Sequence, residues 1–207
     1  MSELLHRLTP LGVMVLAMLR EADMHPYEMM RLLRQRRADR LVPLAQGTLY
    51  HTVGRLERAG LIEHVGVDRE GNRPERTTYS VTDAGTAAVL DWVRAELPRL
   101  DRPVEIRVAI AEAHNLDRRE ATSILRRRLQ ALADERTAYA ESRATVLARD
   151  VPEQFVLELG RRETLLQAEE SWLRSIVSRL ESGDIPWGPI DSATRTRLNA
   201  TREATHA

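Results

Sequence analysis

The 207-residue chain contains no cysteine. Disulfides, thiolate nucleophiles and cysteine-ligated metals are excluded, and the composition fits a reducing, cytoplasmic setting. Lysine is absent as well, so the 31 basic side chains are all arginine, against 31 acidic ones and a net charge of zero. The basic excess of many nucleic-acid binders is missing. Arginine is a fork suited to phosphate and guanine edges, although so alanine-rich a chain points first to a GC-rich genome. No stretch approaches the roughly 20 apolar residues of a membrane span. Residues 10–19, PLGVMVLAML, are too short for one, and the acidic and polar sequence after them offers no signal-peptide cleavage site. The Asn199-Ala200-Thr201 sequon reads as accidental. The six histidines show no metal-ligand spacing, and phosphate loops, dinucleotide motifs and nucleophile elbows are lacking. Catalysis, a metal and a cofactor are therefore not expected.

What is present centres on residues 46–82. Leu49, Val53 and Leu56 recur at i, i+4 and i+7, the buried stripe of a helix, leaving Tyr50, His51, Gly54, Arg55 and Arg58 on the other face. Gly60 ends the helix. The period then changes to two: Ile62, His64 and Gly66 alternate with Glu63, Val65 and Val67, and Thr77 to Val81 forms a second β-branched and aromatic run. Residues 68–76 between them are a polar turn with a Gly-Asn pair and three arginines. A helix running into a hairpin with an arginine-bearing tip outlines a winged helix, in which the helix enters the major groove and the tip reaches backbone or minor groove.

Five motifs sharpen this outline: Leu8-Thr9-Pro10, His25-Pro26-Tyr27-Glu28, Gly47-Thr48-Leu49-Tyr50 with Leu56-Glu57, Gly60-Leu61-Ile62, and Tyr79-Ser80-Val81-Thr82-Asp83-Ala84-Gly85. In this order and spacing the first 95 or so residues resemble the PadR family of bacterial transcriptional regulators. The resemblance implies a dimeric winged helix-turn-helix repressor whose C-terminal helices make the dimer, and a cleft between the halves that accepts flat hydrophobic compounds. Two positions depart from the family: Pro26 replaces the usual glycine and His51 a frequent proline. Proline suits a first helical turn; His51 lies on the reading face and bears on target preference.

In chain order, Thr9 caps a helix that has Pro10 at its first position and Leu11, Val15, Leu16 and Leu19 on its core face. Pro26-Tyr27-Glu28 starts the next, buried through Met29, Leu32 and Leu33. Tyr27, at its N-terminus, is a candidate phosphate contact, with simple packing as the alternative. Arg31, Arg34, Arg36, Arg37 and Arg40 read as a solvated face or as a contact for DNA or an acidic partner. The candidate DNA-binding set is Tyr27, Gln46, Thr48, Tyr50, His51 and Arg55, with Arg69, Asn72, Arg73 and Arg76 on the wing. Glutamine and arginine pair with adenine and guanine edges, and threonine with a thymine methyl. The plainer reading packs Gln46 and Tyr50 against the wing and leaves His51 merely exposed.

Thr82-Asp83 caps a helix running to Leu97, with Pro98 ending it and Pro103 marking a domain boundary. Trp92 on it is a candidate effector contact, or ordinary packing. A short helix over 104–114 follows, and Asp117 with Glu120 caps a long one. Leu125, Leu129, Leu132, Arg136, Tyr139, Arg143 and Val146 repeat along it at alternating fours and threes. Phe155, Leu159, Arg162, Leu166, Glu169, Leu173, Ile176 and Leu180 do so along the next. This predicts an antiparallel pair whose stripes cannot be buried by one helix alone. Leu125, Leu129, Leu132, Tyr139, Phe155, Leu159, Leu166, Leu173, Ile176 and Leu180 are the candidate dimerisation residues. The charges inside the stripes either pair and set register or mark splayed arms.

The fold class expected is mainly α with a small β-wing: a winged helix-turn-helix domain (1–98), a helical C-terminal dimerisation domain (103–182), and a polar tail (183–207) in which Pro186-Trp187-Gly188-Pro189 is a docking plug. The expected partners are double-stranded operator DNA, a second copy and a small hydrophobic effector, with no membrane. The rival is a winged-helix module that binds protein instead of DNA, favoured by the neutral charge.

Overall fold

The computed structural model describes residues 8–68 and 76–188. Two compact units emerge: residues 8–68, 76–96 and 102–115 form one, and 97–101 with 116–188 the other. The short helix after Pro103 thus joins the first unit, whereas the expected division assigned it to the second.

In the first unit α1 (Pro10–Leu19) starts as the sequence predicts: the Gly12 amide donates to Thr9 Oγ1 at 3.2 Å and proline opens the first turn. Nearly every α1 side chain is buried, with Val13, Val15 and Leu16 at 0% exposure. α1 is therefore the central post of the domain. α2 (Pro26–Gln35) is capped by His25, whose Nδ1 accepts from the Tyr27 amide at 3.0 Å while Glu28 accepts from the His25 amide at 2.9 Å. This reciprocal arrangement satisfies two of the donors a helix start leaves unpaired. Pro26 fits the first turn, as its chemistry predicts. A 3-10 turn (Ala38–Arg40) and an extended segment lead to α3 (Gln46–Arg58).

α3 ends in a Schellman motif. Leu61 donates to the Leu56 carbonyl at 3.0 Å and Gly60 to that of Glu57 at 2.8 Å, with Gly60 at φ 68°. The chain then enters β1 (Ile62–Asp68), antiparallel to β2 (Arg76–Val81). Strict alternation fails at one place: the register shifts between His64 and Gly66, and Val65, 51% exposed, is the extra residue of a bulge. A reciprocal backbone pair of 3.1 Å bonds between Met24 and Tyr79 ties the connector before α2 to the ribbon.

α4 (Asp83–Glu96) returns along α1, and α5 (Glu105–Ala111) packs on both. Val89, Trp92, Val93 and Val108 join Met29, Leu33, Leu49, Val53, Leu56 and Ile62 in one core, each at 3% exposure or less. Full burial of such side chains contributes about 1.5–3 kcal/mol apiece.

The second unit is a helical hairpin: α6 (Arg118–Leu147), capped by Asp117, and α7 (Leu157–Ser182), joined through a 3-10 turn (Glu153–Phe155). The expected antiparallel pairing forms, and the charges inside the stripes pair across it. Arg136 binds Glu170 at 2.8 Å, Arg143 Glu153 at 3.1 Å, Arg162 Glu135 at 2.5 Å and Glu169 Arg128 at 2.5 Å. Arg128 is only 3% exposed and donates further to the Arg99 carbonyl. Glu170, also buried, receives Arg174 as well, and the Arg136 bond foremost holds its carboxyl below the usual range. The Trp187 indole donates to the Leu116 carbonyl at 3.0 Å, so this part of the expected plug is docked. Residues 189–207, most of the expected tail, lie outside the described residues.

This hairpin corrects the assignment of its stripes. Leu125, Leu132, Leu166, Leu173 and Leu180 are 4% exposed or less within one chain, and they hold the two helices to each other rather than facing a second copy. Leu129, Tyr139, Leu159 and Ile176 are half-buried at the edges of the seam, and Phe155 is 71% exposed at the turn. The apolar side chains left outside are Phe155, Leu157, Leu165 and Trp172.

Candidate nucleic-acid interface

α3 has two faces of opposite character because its apolar residues follow the helical period. Leu49, Thr52, Val53 and Leu56 are buried, with Thr52 returning its hydroxyl to the Thr48 carbonyl at 2.8 Å. Gln46, Thr48, Tyr50 and His51 are exposed, and Arg55 is half-buried. Gln46 and Tyr50 are both open to solvent, Tyr50 at 44% exposure. A Cβ added at Gly47 or at Gly54 would meet nothing within 4 Å. These glycines lie seven residues apart on one side of the helix with Tyr50 between them, so another surface can approach the backbone closely there. Arg58 lies back along the helix, donating to the Gly54 carbonyl at 2.9 Å.

Tyr27 stands 62% exposed at the capped start of α2. Of the wing candidates, Arg76 pairs with Asp68 in backbone register at the open end of the ribbon, and Arg69, Asn72 and Arg73 lie outside the described residues. Trp92 is 3% exposed in the core of the first unit, which favours its packing role over an accessible ligand surface.

Sequence reasoning missed the cluster that fastens the helix to the wing. Glu57 lies 3.7 Å from His64, which is paired across the ribbon with Tyr79. Burial, then the Glu57 charge and hydrogen bond, push the Tyr79 phenol above its ordinary range. The three residues are brought together only by the hairpin, and no local spacing announces them. A second such cluster joins α1, α2 and the 3-10 turn Ala113–Asn115. Arg36 takes Glu21 at 2.6 Å through both terminal nitrogens, Arg20 reaches Asn115 at 2.6 Å, and Asn115 donates to Glu112 at 3.0 Å. Burial raises the Glu112 carboxyl above its usual range despite His114, Asn115 and Arg36 nearby.

Among the described residues no group of acidic or histidine side chains could hold a metal, and no helix is long and apolar enough to cross a membrane.

The model of the transcriptional regulator PadR-like family matches residues 15–90. Among solved structures, Bacillus subtilis PadR in complex with operator DNA is 19% identical, with 82% of this chain and 97% of that chain covered and a TM-score of 0.40. The same Bacillus subtilis protein in complex with p-coumaric acid gives 18% identity, 84% and 99% coverage and 0.38. A PadR family regulator from Clostridium difficile R20291 gives 22% identity, 40% and 82% coverage and 0.35. A comparison with curated proteins found no match.

Proposed function

We propose that the chain, whose residues 15–90 match the PadR-like family of transcriptional regulators, is a sequence-specific DNA-binding repressor acting as a homodimer on a pseudo-palindromic operator. The observation that carries this reading is the outer face of α3. It presents Gln46, Thr48, Tyr50 and His51 to solvent around two unobstructed glycines, on a helix whose other face is anchored in the core. Such a face fits a major groove, and a two-fold pair would set two of them roughly 34 Å apart, one turn of DNA. Tyr27 serves as a phosphate contact, and Arg69, Asn72, Arg73 and Arg76 extend the contact through the wing.

We assign the dimer to apolar side chains the arm leaves exposed, Phe155, Leu157, Leu165 and Trp172, and place the protein in the cytoplasm without catalytic activity. Release by a small hydrophobic effector completes the reading, with Trp92, buried in the core, left to packing.

Selection of genomic fragments by the purified protein, followed by binding across a salt series, tests the proposal. A shared inverted repeat bound less tightly as salt rises is the expected result, since phosphate contacts release counterions. Recovery of no sequence above background would overturn it in favour of the protein-binding module.

A further inference from the structure

α2 and the turn after it carry a concentration of charge that the neutral total conceals. Arg36 is taken up by Glu21. Arg31, Arg34, Arg37 and Arg40 are all exposed, and none has a carboxylate partner among the described residues. Arg107 of α5 adds a fifth guanidinium to this edge by donating to the Arg40 carbonyl. Two acids lie on the same elements: Asp39, which shares a shallow depression with Arg34, Gln35 and Arg37, and Glu28, whose carboxylate accepts from the His25 amide at 2.9 Å. Four cations without a carboxylate partner among the described residues, against those two acids, make a locally basic surface.

Its position and chemistry select the partner. Tyr27, Arg31 and Arg34 are spaced i, i+4 and i+7, a single stripe along the exposed side of α2 that starts at the proposed phosphate contact. Apart from Tyr27, no large apolar side chain is exposed on α2 or the turn. Protein interfaces draw their energy from clusters of buried aromatic and aliphatic anchors, whereas here Tyr27 stands alone among charges. A phosphodiester backbone asks only for spaced cations, and guanidinium forks bind phosphate in two-pronged fashion.

We infer that Arg31, Arg34, Arg37 and Arg40 form a second phosphate-binding surface, which engages duplex DNA outside the base pairs read by α3. The inference rests on the DNA-binding reading and adds to it where the flanking backbone runs.

The test uses the full chain and two duplexes made from the selected sequence: one trimmed to the inverted repeat, the other extended by about ten base pairs, one helical turn, at each end. The parent should bind the extended duplex more tightly, with a steeper fall of log affinity against log salt. The combined variant Arg31→Ala, Arg34→Ala, Arg37→Ala should bind both duplexes alike, keep its preference for the repeat, and lose about 0.9 in slope for each phosphate contact removed. A variant that keeps the parent's slope and its gain from the extension would overturn the inference and point to an acidic protein partner. A parent that binds neither duplex overturns the DNA-binding reading and this inference together, whereas a parent indifferent to the extension overturns only the second surface. Should the triple variant lose its helical circular dichroism, Arg34→Gln alone is read the same way, with a slope lower by about 0.9.

Discussion

Gly85, in the first turn of α4, sits against Leu61 so closely that a Cβ on it would lie 2.0 Å from the Leu61 carbonyl oxygen. That oxygen already accepts from the Thr82 amide at 3.1 Å, while the Thr82 hydroxyl donates to the Gly60 carbonyl at 2.8 Å and accepts from the Gly85 amide at 3.1 Å. The end of α3, the end of the wing and the start of α4 are thereby locked at one point. Gly85→Ala must push backbone apart and should cost about 1–3 kcal/mol, read as a lower denaturant midpoint. An unchanged midpoint would contradict the tight approach.

Tyr50→Ala and Arg55→Ala test the reading face. Each should lose about 1–3 kcal/mol of affinity for the selected repeat with little loss for unrelated DNA. Equal losses on both kinds of DNA would make these residues backbone contacts instead.

His25 caps α2 through an unprotonated Nδ1, so His25→Ala should cost about 0.5–2 kcal/mol and His25→Asn much less. Thermal unfolding of the two variants side by side decides this. If asparagine is no better than alanine, the cap contributes nothing.

Two carboxylates, Glu170 buried and Glu112 half-buried, should show opposite pH behaviour. Glu170 is held below its usual range, first by Arg136, so its contribution is present above about pH 4.3 and fades as pH falls through the lower folded value. Glu170→Gln should destabilise the arm by about 1–3 kcal/mol at neutral pH, and less in acid. Burial raises Glu112, so its stabilising protonated form is lost as pH rises from about 4.3 through the higher folded value. Glu112→Gln, which keeps an acceptor for Asn115, should therefore raise the neutral-pH midpoint, with the gain vanishing in acid. Unfolding series across pH check both signs.

Leu173→Asp and Trp172→Asp separate folding of the arm from pairing of two copies. Leu173 is 0% exposed, so a charge there should unfold the hairpin; Trp172 is 44% exposed, so its replacement should leave helicity intact and yield monomers in sedimentation. A Trp172→Asp variant that remains dimeric would remove this surface from the interface.

Much of the winged unit was legible because its signals are local. Thr9, Pro26 and Gly60 act within a turn of where they stand, and Leu49, Val53 and Leu56 declare a buried side without reference to anything distant. The departures have a common cause. The stripe through Leu125, Leu132, Leu166 and Leu173 has the same period whether its mate is the next helix of the chain or another copy, so periodicity could not tell folding from dimerisation. The bulge at Val65 and the meeting of Glu57, His64 and Tyr79 depend on which residues face each other across the ribbon, and Glu112 meets Arg36 only after α5 folds back. Each is a tertiary fact with no local spelling.

The hairpin's ion pairs also bear on how the arm avoids misfolding. Arg128 faces Glu169 and Glu135 faces Arg162, and in both helices these positions are seven residues apart. Leucines recurring on that same interval would tolerate α7 sliding by one heptad. A slide in one direction would bring Arg128 against Arg162, and in the other Glu135 against Glu169, each a like-charge encounter. The apolar seam alone is therefore degenerate, and the charges embedded in it place a like-charge encounter in each single-heptad misalignment that the folded alignment avoids.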